Sequence, residues 1–217
     1  MKIIRAGYKI VSNVDGVKIL KNIEKIGRTC YKSEDRITDN SASEFVKMLI
    51  DKGHEAVIEH EFITVKFICD RGVSHELVRH RLASFVQEST RYCNYSKDKF
   101  GNELTFVKPP FLTRPSQNKK RWSDCLVAEH WQNAMRQAEY FYLDMIDRGL
   151  KPEEARSVLP NSLKTEVIMT ANLREWRHFF KLRTGKTAHP QMREITIPLL
   201  GELKEKIPVV FGDIIKD

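Results

Sequence analysis

The sequence predicts a mixed α+β protein: a central sheet flanked by helices, with one long helix whose apolar stripe suits packing in a homo-oligomer. The first observation is residues 61–69, where Ile63, Val65 and Phe67 alternate with Thr64 and Lys66, the period of a half-buried strand. A similar second core strand is expected over 162–171. Helical-period segments lie around these strands without strictly alternating with them, which fits a mixed α+β architecture. The chain has 217 residues, 41% hydrophobic and 30% charged, so residues 1–217 are expected to form one globular domain able to bury its own core.

In chain order, Ile3 to Val11 reads as a strand. Asp15 to Ile26 has helical spacing at Val17, Leu20, Ile23 and Ile26, with Gly27 as its stop; Ser43 to Asp51 is a second helix ended by Gly53. After the strand at 61–69, Gly72 to Arg81 reads as a short helix and Gln87 to Tyr92 as an extended segment. Pro109, Pro110 and Pro115 mark a loop. The longest helix runs from Ser123, its N-cap, to Gly149. Its stripe is Val127, Trp131, Ala134, Ala138, Phe141 and Met145, a core or subunit-packing face rather than a chemical one. A short helix after Pro152 carries Arg156 and stops at Leu159-Pro160. Asn172-Leu173-Arg174-Glu175 has the form of a capping box opening a helix to about Arg183, with Gly185 beyond it. Pro190 to Lys206 is the final, amphipathic helix.

Composition excludes several classes. The first residues lack the apolar run of a signal peptide, and no stretch approaches the roughly 18 apolar residues of a membrane span. Cys30, Cys69, Cys93 and Cys125 are far apart with no C-x-x-C, so they are expected to be thiols in a reducing cytoplasm. A net charge of +8 suits either nucleic acid or an anionic small molecule. The basic residues are dispersed, apart from Lys119-Lys120-Arg121, and no helix-turn-helix, zinc-finger or RNP pattern occurs. Neither a membrane nor a nucleic acid is expected as a partner.

The densest chemistry lies in R-H-R-L-A-S-F-V-Q-E-S-T-R-Y, from Arg79 to Tyr92. Arginine forks pair bidentately with phosphate and carboxylate, and the residues between them are not those of a solvated Lys/Glu face. A helix over 72–81 would put Glu76 and His80 one turn apart with Arg79 beside them, and Arg81 about 200° from Arg79. An extended segment would point Ser89 and Arg91 to one side, a hydroxyl and a guanidinium suited to a phosphate. The second cluster is Asn172, Arg174, His178 and Arg183, with Arg174 and His178 one helical turn apart. In the third, Gly53 to His60, His54, Glu59 and His60 lack the H-E-x-x-H spacing, so no metal is expected. Rossmann glycines, a complete P-loop and a G-x-S-x-G elbow are all absent from the sequence.

Together these segments resemble the flavin-dependent thymidylate synthases. The signature R-H-R, seven residues, S falls on Arg79, His80, Arg81 and Ser89. Three further blocks follow the family's order: G-H-E-x-x-x-E-H at Gly53 to His60, A-R-x-x-L-P at Ala155 to Pro160, and N-L-R-E-W-x-x-F-x-x-L-R from Asn172 to Arg183. The resemblance implies methylation of dUMP to dTMP with 5,10-methylenetetrahydrofolate, NADPH and FAD, in a homotetramer whose sites form where subunits meet. It implies FAD contacts from His54, Arg79, His80, Arg81, Gln87, Asn172, Leu173, Arg174 and His178. Contacts to dUMP are implied for Glu76, Arg79, Gln87, Glu88, Ser89, Thr90, Arg91, Arg156 and Arg183, with Arg156 reaching from a neighbouring subunit. Arg183 would assist ionisation at uracil N3, and Ser89 is the other candidate catalytic residue, as nucleophile or as binding group. Glu76 stands where the family often has Gln, and Ala56 where some relatives carry a hydroxyl. The folate-only thymidylate synthases need a nucleophilic Cys in a Pro-Cys-His context, which none of the four cysteines has. A basic nucleic-acid module would explain the charge but not the order of the blocks, and another flavoprotein oxidoreductase would keep only the flavin contacts.

Overall fold

The computed structural model describes residues 1–113 and 124–214; Pro115, the Lys119-Lys120-Arg121 cluster and the expected N-cap Ser123 lie outside them. The architecture is mixed α+β with two small sheets. In chain order the elements are β1 (Lys2–Ile4), β2 (Gly7–Ile10), α1 (Gly16–Arg28), α2 (Ser41–Asp51), β3 (Phe62–Asp70), α3 (Arg71–Leu77), β4 (Ala83–Gln87), β5 (Thr105–Val107), α4 (Asp124–Asp147), α5 (Pro152–Ala155), β6 (Lys164–Asn172), α6 (Leu173–Arg183), α7 (Pro190–Lys206) and α8 (Pro208–Phe211). Short 3-10 turns include Glu55–His60 and Arg156–Val158. One sheet has the order β2-β3-β6-β4, and a two-stranded sheet pairs β1 with β5 in parallel, Ile3 opposite Phe106. Among the described residues no helix is long and apolar enough to cross a membrane.

Contacts group the chain into two compact units. The first comprises Met1–Gly7, Phe67–Arg79 and Val86–Val167. Its core gathers Tyr95, Leu104, Phe106, Met135, Tyr142, Ala155 and Leu163, with Trp131 and Met145 packed against them. The buried face of α4 is thus rotated from the expected stripe: Met135 and Tyr142 are inside, while Ala134 and Phe141 are exposed. The apolar residues of α4 fall on two helical faces, and the face bearing Met135 and Tyr142 meets the core.

The second unit comprises Tyr8–Lys66, His80–Phe85 and Ile168–Asp217. Asp15 caps α1 by accepting from the Lys18 N–H, as a short side-chain oxygen at a helix start does. Gly27 does not stop α1. It lies inside the helix, where a Cβ would come within 2.7 Å of the Phe45 ring, so glycine there permits α1 and α2 to pack closely. Gly53 does end α2, in the left-handed conformation with φ 71°. Trp176, Phe179 and Phe180 of α6 are fully buried, Phe180 edge-on to Phe211 of α8. The expected continuous strand over 3–11 is broken at Arg5-Ala6 into β1 and β2, which join different sheets.

Candidate active site

The helix expected over 72–81 ends early. α3 stops at Leu77, Val78 caps it by donating to the Ser74 carbonyl, and Arg79 to Leu82 form a turn into β4. Glu76 is therefore on α3, whereas Arg79 and His80 lie beyond its end, so the single 72–81 helix does not form. Arg79 and Arg81 are exposed, whereas His80 is only 5% exposed. Burial of a polar ring demands partners for its nitrogens. The second unit supplies them from α6: His80 Nδ1 lies 2.9 Å from Glu175 Oε1, and Arg183 Nε donates to His80 Nε2 at 3.1 Å. An Arg N–H can only donate, so Nε2 is the acceptor and the ring proton sits on Nδ1, facing Glu175. Burial holds the His80 pKa below the ordinary 6.5, Arg183 and His178 add to that, and Glu175 opposes it. The ring edge meets Phe179 at 4.9 Å and His178 at 6.0 Å between centroids.

Asn172 caps α6 as expected, its side chain accepting from the Glu175 N–H at 2.8 Å. The other half of the expected capping box is absent, because the Glu175 carboxylate is bonded to His80 rather than turned back to Asn172. Leu173 is fully buried and its N–H bonds the Glu61 carbonyl. Arg174 and His178 lie exposed one turn apart, and Arg174 is paired with Glu59. His54 is exposed on the rim of a cavity of about 1160 Å³ whose lining includes Arg28, Tyr31, Arg36, Lys52 and Ala56. Arg28 is fixed there by Glu24 at 2.7 Å and by the Phe45 ring 4.2 Å below it.

His80, Glu175 and His178 bring ligand-type atoms within 4.8 Å of one another. The tautomer argues against a cation at this cluster: a metal on Nδ1 would leave Nε2 protonated and facing the Arg183 Nε–H, two donors in opposition.

The first unit holds the other set. Gln87 ends β4 and donates to Ser74 Oγ at 3.0 Å and Thr165 Oγ1 at 3.2 Å. Glu88 accepts from Lys164 Nζ at 2.8 Å and Tyr95 OH at 3.0 Å. Burial opposes charge on Lys164, but its bonds to Glu88 and Glu166 hold its pKa above the ordinary value; burial pushes the Tyr95 hydroxyl up, with Glu88 adding to it. The extended segment expected over 87–92 is overturned beyond Ser89: Tyr92 and Cys93 N–H both bond the Ser89 carbonyl, closing a turn at Thr90 to Tyr92. Ser89 and Arg91 are therefore not side by side on a strand. Instead Ser89 Oγ accepts from the Arg91 N–H at 3.3 Å. Thr90 is buried and accepts from Arg156 Nη1 at 3.4 Å, and Arg91 Nε is 3.6 Å from Glu153, within one chain.

Sequence reasoning missed Glu175 as a partner, Lys164 and Tyr95 behind Glu88, and the buried Arg177. These pairings join residues far apart in the chain, such as 80 and 175, and no local spacing signals them.

A family profile described as "Thymidylate synthase complementing protein" matches residues 15–209. The chain belongs to that family, the flavin-dependent thymidylate synthases. It is 33% identical over 181 residues to the flavin-dependent thymidylate synthase of Pyrococcus furiosus, covering 83% of this chain and 70% of that one. It is 32% identical over 193 residues to the enzyme of the same name from Geobacter sulfurreducens, covering 86% and 78%. In fold it is similar to a UMP/dUMP methylase, PolB, from Streptomyces cacaoi bound with 5-Br dUMP: TM-score 0.78 at 22% identity, over 98% of this chain and 96% of that one.

Proposed function

We propose that this chain methylates dUMP to dTMP, taking the carbon from 5,10-methylenetetrahydrofolate, with NADPH reducing a bound FAD. The observation that carries this reading is the complete R-H-R, seven residues, S signature, whose histidine is sequestered to anchor Arg183 while both arginines stay exposed. The donor chemistry fits FAD. The cavity beside His54 is of dinucleotide size and carries Arg28, Arg36 and Lys52 for a pyrophosphate, and Arg81, Arg174 and His178 are exposed in the same unit. Bound FAD supplies hydride transfer, which no side chain can perform.

In this reading His54, Arg79, Arg81, Gln87, Asn172, Leu173, Arg174 and His178 serve the flavin, His80 acting through its neighbours. Glu76, Arg79, Gln87, Glu88, Ser89, Thr90, Arg91 and Arg156 serve the nucleotide. Exposed Arg91 and Arg156 offer guanidinium donors suited to a phosphate. Arg183 stabilises the negative charge that hydride addition at uracil C6 places near N3 and its flanking carbonyl. Both units serve one synthase, in the cytoplasm, where Cys30, Cys69 and Cys93 remain free thiols.

Purified protein is expected to be yellow and its flavin, with oxygen excluded, to be bleached by NADPH and then reoxidised only when dUMP and methylenetetrahydrofolate are both added. Protein that takes up no FAD on reconstitution would overturn the reading.

A homotetramer with shared sites belongs to the same proposal. It is supported by large apolar side chains left exposed, Tyr140 and Phe141 on α4 in one unit and Leu182 in the other. If Arg156 serves a neighbouring subunit, inactive Arg91→Ala and Arg156→Ala chains should partly rescue each other on mixing, because some sites then carry neither lesion. No rescue despite demonstrated subunit exchange would assign each site to one chain.

A further inference from the structure

The geometry points to Glu175 as a positioning residue that holds the arginine assigned to uracil charge, acting through the tautomer of His80. The inference rests on the proposed function for what Arg183 does, but not for how Arg183 is held. The chain of contacts is Glu175 Oε1, His80 Nδ1–H, His80 Nε2 and Arg183 Nε–H, at 2.9 Å and 3.1 Å. Each link constrains the next. A carboxylate can only accept, so it selects the Nδ1–H form; that form presents a bare Nε2; a bare Nε2 is the only state of the ring that can receive Arg183 Nε–H. Capturing Nε fixes the plane of the whole guanidinium, because its nitrogens share one rigid fork. The Arg183 backbone is fixed as well, its carbonyl accepting from Thr196 Oγ1 at 2.8 Å.

The burial pattern supports this assignment. His80 and Glu175 are 5% and 6% exposed, and a pair this dry keeps its geometry far better than a surface pair would. Glu175 has also left the local role its sequence position offers. Its N–H is bonded to Asn172, yet its side chain does not return to the cap. The side chain is thus available to the relay, and removing it leaves the N-cap hydrogen bond of α6 in place.

The alternative state of the ring defines what the relay prevents. Without an acceptor at Nδ1, His80 can carry its proton on Nε2, and two donors then face each other, which expels the arginine. Protonation of His80 does the same. Among the described residues, the titratable and charged groups that act on His80 are Glu175, Arg183 and His178, all on α6. Burial, Arg183 and His178 favour the neutral ring and Glu175 opposes it, so removing the carboxylate charge must lower the His80 pKa further.

Three measurements test this. The first is single-turnover oxidation of reduced flavin by dUMP and methylenetetrahydrofolate. Glu175→Ala should slow it about 10- to 100-fold, the range typical for losing a group that orients another, with flavin content and dUMP affinity changed only a few-fold. Glu175→Gln should recover most of that rate, because its amide oxygen still accepts from Nδ1–H. The second is the pH profile of Glu175→Gln, whose acid limb should move to lower pH than that of the wild type; a residue that merely supports α6 would not move it. The third is the ring ¹⁵N shifts of His80 in flavin-free protein, which should report Nδ1–H in the wild type and lose that form in Glu175→Ala. Near-normal turnover in Glu175→Ala, an unmoved acid limb, or an Nε2–H ring in the wild type would each overturn the relay. Wild-type protein with no dUMP-dependent oxidation would instead defeat the proposed function, leaving the ring shifts to decide the relay.

Discussion

Arg183→Ala is expected to lose about a hundredfold or more in turnover while still binding FAD, whereas Ser89→Ala keeps measurable dTMP synthesis with weakened dUMP binding. The difference follows from what each residue can do at its position. Removing one prepositioned donor from a developing oxyanion typically costs about 10²- to 10³-fold, roughly 3–4 kcal/mol. Arg183 meets the condition for such an effect: it is held before the reaction by His80 and by the Thr196 bond to its carbonyl, so little reorganisation remains when charge appears. A serine, by contrast, attacks only when a base removes its proton. The carboxylate next to Ser89 in sequence, Glu88, is tied to Lys164 and Tyr95, and Ser89 Oγ accepts from the Arg91 N–H. That arrangement holds the hydroxyl in place; it does not activate it. The check is single-turnover oxidation of reduced flavin by dUMP and methylenetetrahydrofolate in both variants, with flavin content measured in parallel. A trapped covalent Ser89–uracil adduct, or near-normal turnover in Arg183→Ala, would reverse the assignment.

How far the sequence could be read depended on the range of the interactions involved. β3 was legible because one face of the strand meets the core and the other does not, which prints a period of two; Ile63, Val65 and Phe67 are all fully buried. α7 runs over Pro190–Lys206 as the sequence suggests, because Pro fits a helix start and Pro208 opens a new short helix soon after it ends. Where apolar residues fall on two faces of α4, the sequence alone could not say which face the first unit's core would take. The turn at Arg79 to Leu82 was illegible for a different reason. Its residues have ordinary helix propensity, but His80 is fixed by Glu175 and Arg183, which propensity cannot see. The signature motif marked the candidate site along the chain but not its local geometry: the expected helical and extended faces gave way to a turn around His80 and another after Ser89.

Arg177→Ala is expected to destabilise the folded chain by on the order of 3 kcal/mol, which for a chain of this size lowers Tm by roughly 6–12 °C. Arg177 lies on α6 with its side chain only 3% exposed. Its Nε donates to Glu55 at 3.0 Å, its two terminal nitrogens grip Asp213 at 2.6 Å and 2.7 Å, and it also bonds the Val210 carbonyl. One guanidinium thus ties α6 to the turn that follows His54 and to the chain end beyond α8. Truncation orphans the Val210 carbonyl and leaves the Glu55 carboxylate, whose side chain is 19% exposed, with the longer 3.8 Å ion pair to Arg174. The Asp213 side chain, 52% exposed, can turn to water, which keeps the loss below the upper end for a fully buried pair. Arg177→Lys keeps the charge but not the fork, and should recover less than half of the loss. The acid response fixes the mechanism. The Arg177 bond holds the Asp213 pKa below its usual value of 3.8, so this contribution is fully present above 3.8 and disappears as pH falls through the lowered folded value. The gap in Tm between wild type and Arg177→Ala should therefore narrow below pH 3.8, at fixed protein and flavin concentration. A gap that is unchanged in acid, or a neutral-pH loss under about 1 kcal/mol, would show that Arg177 contributes packing rather than a charged tether.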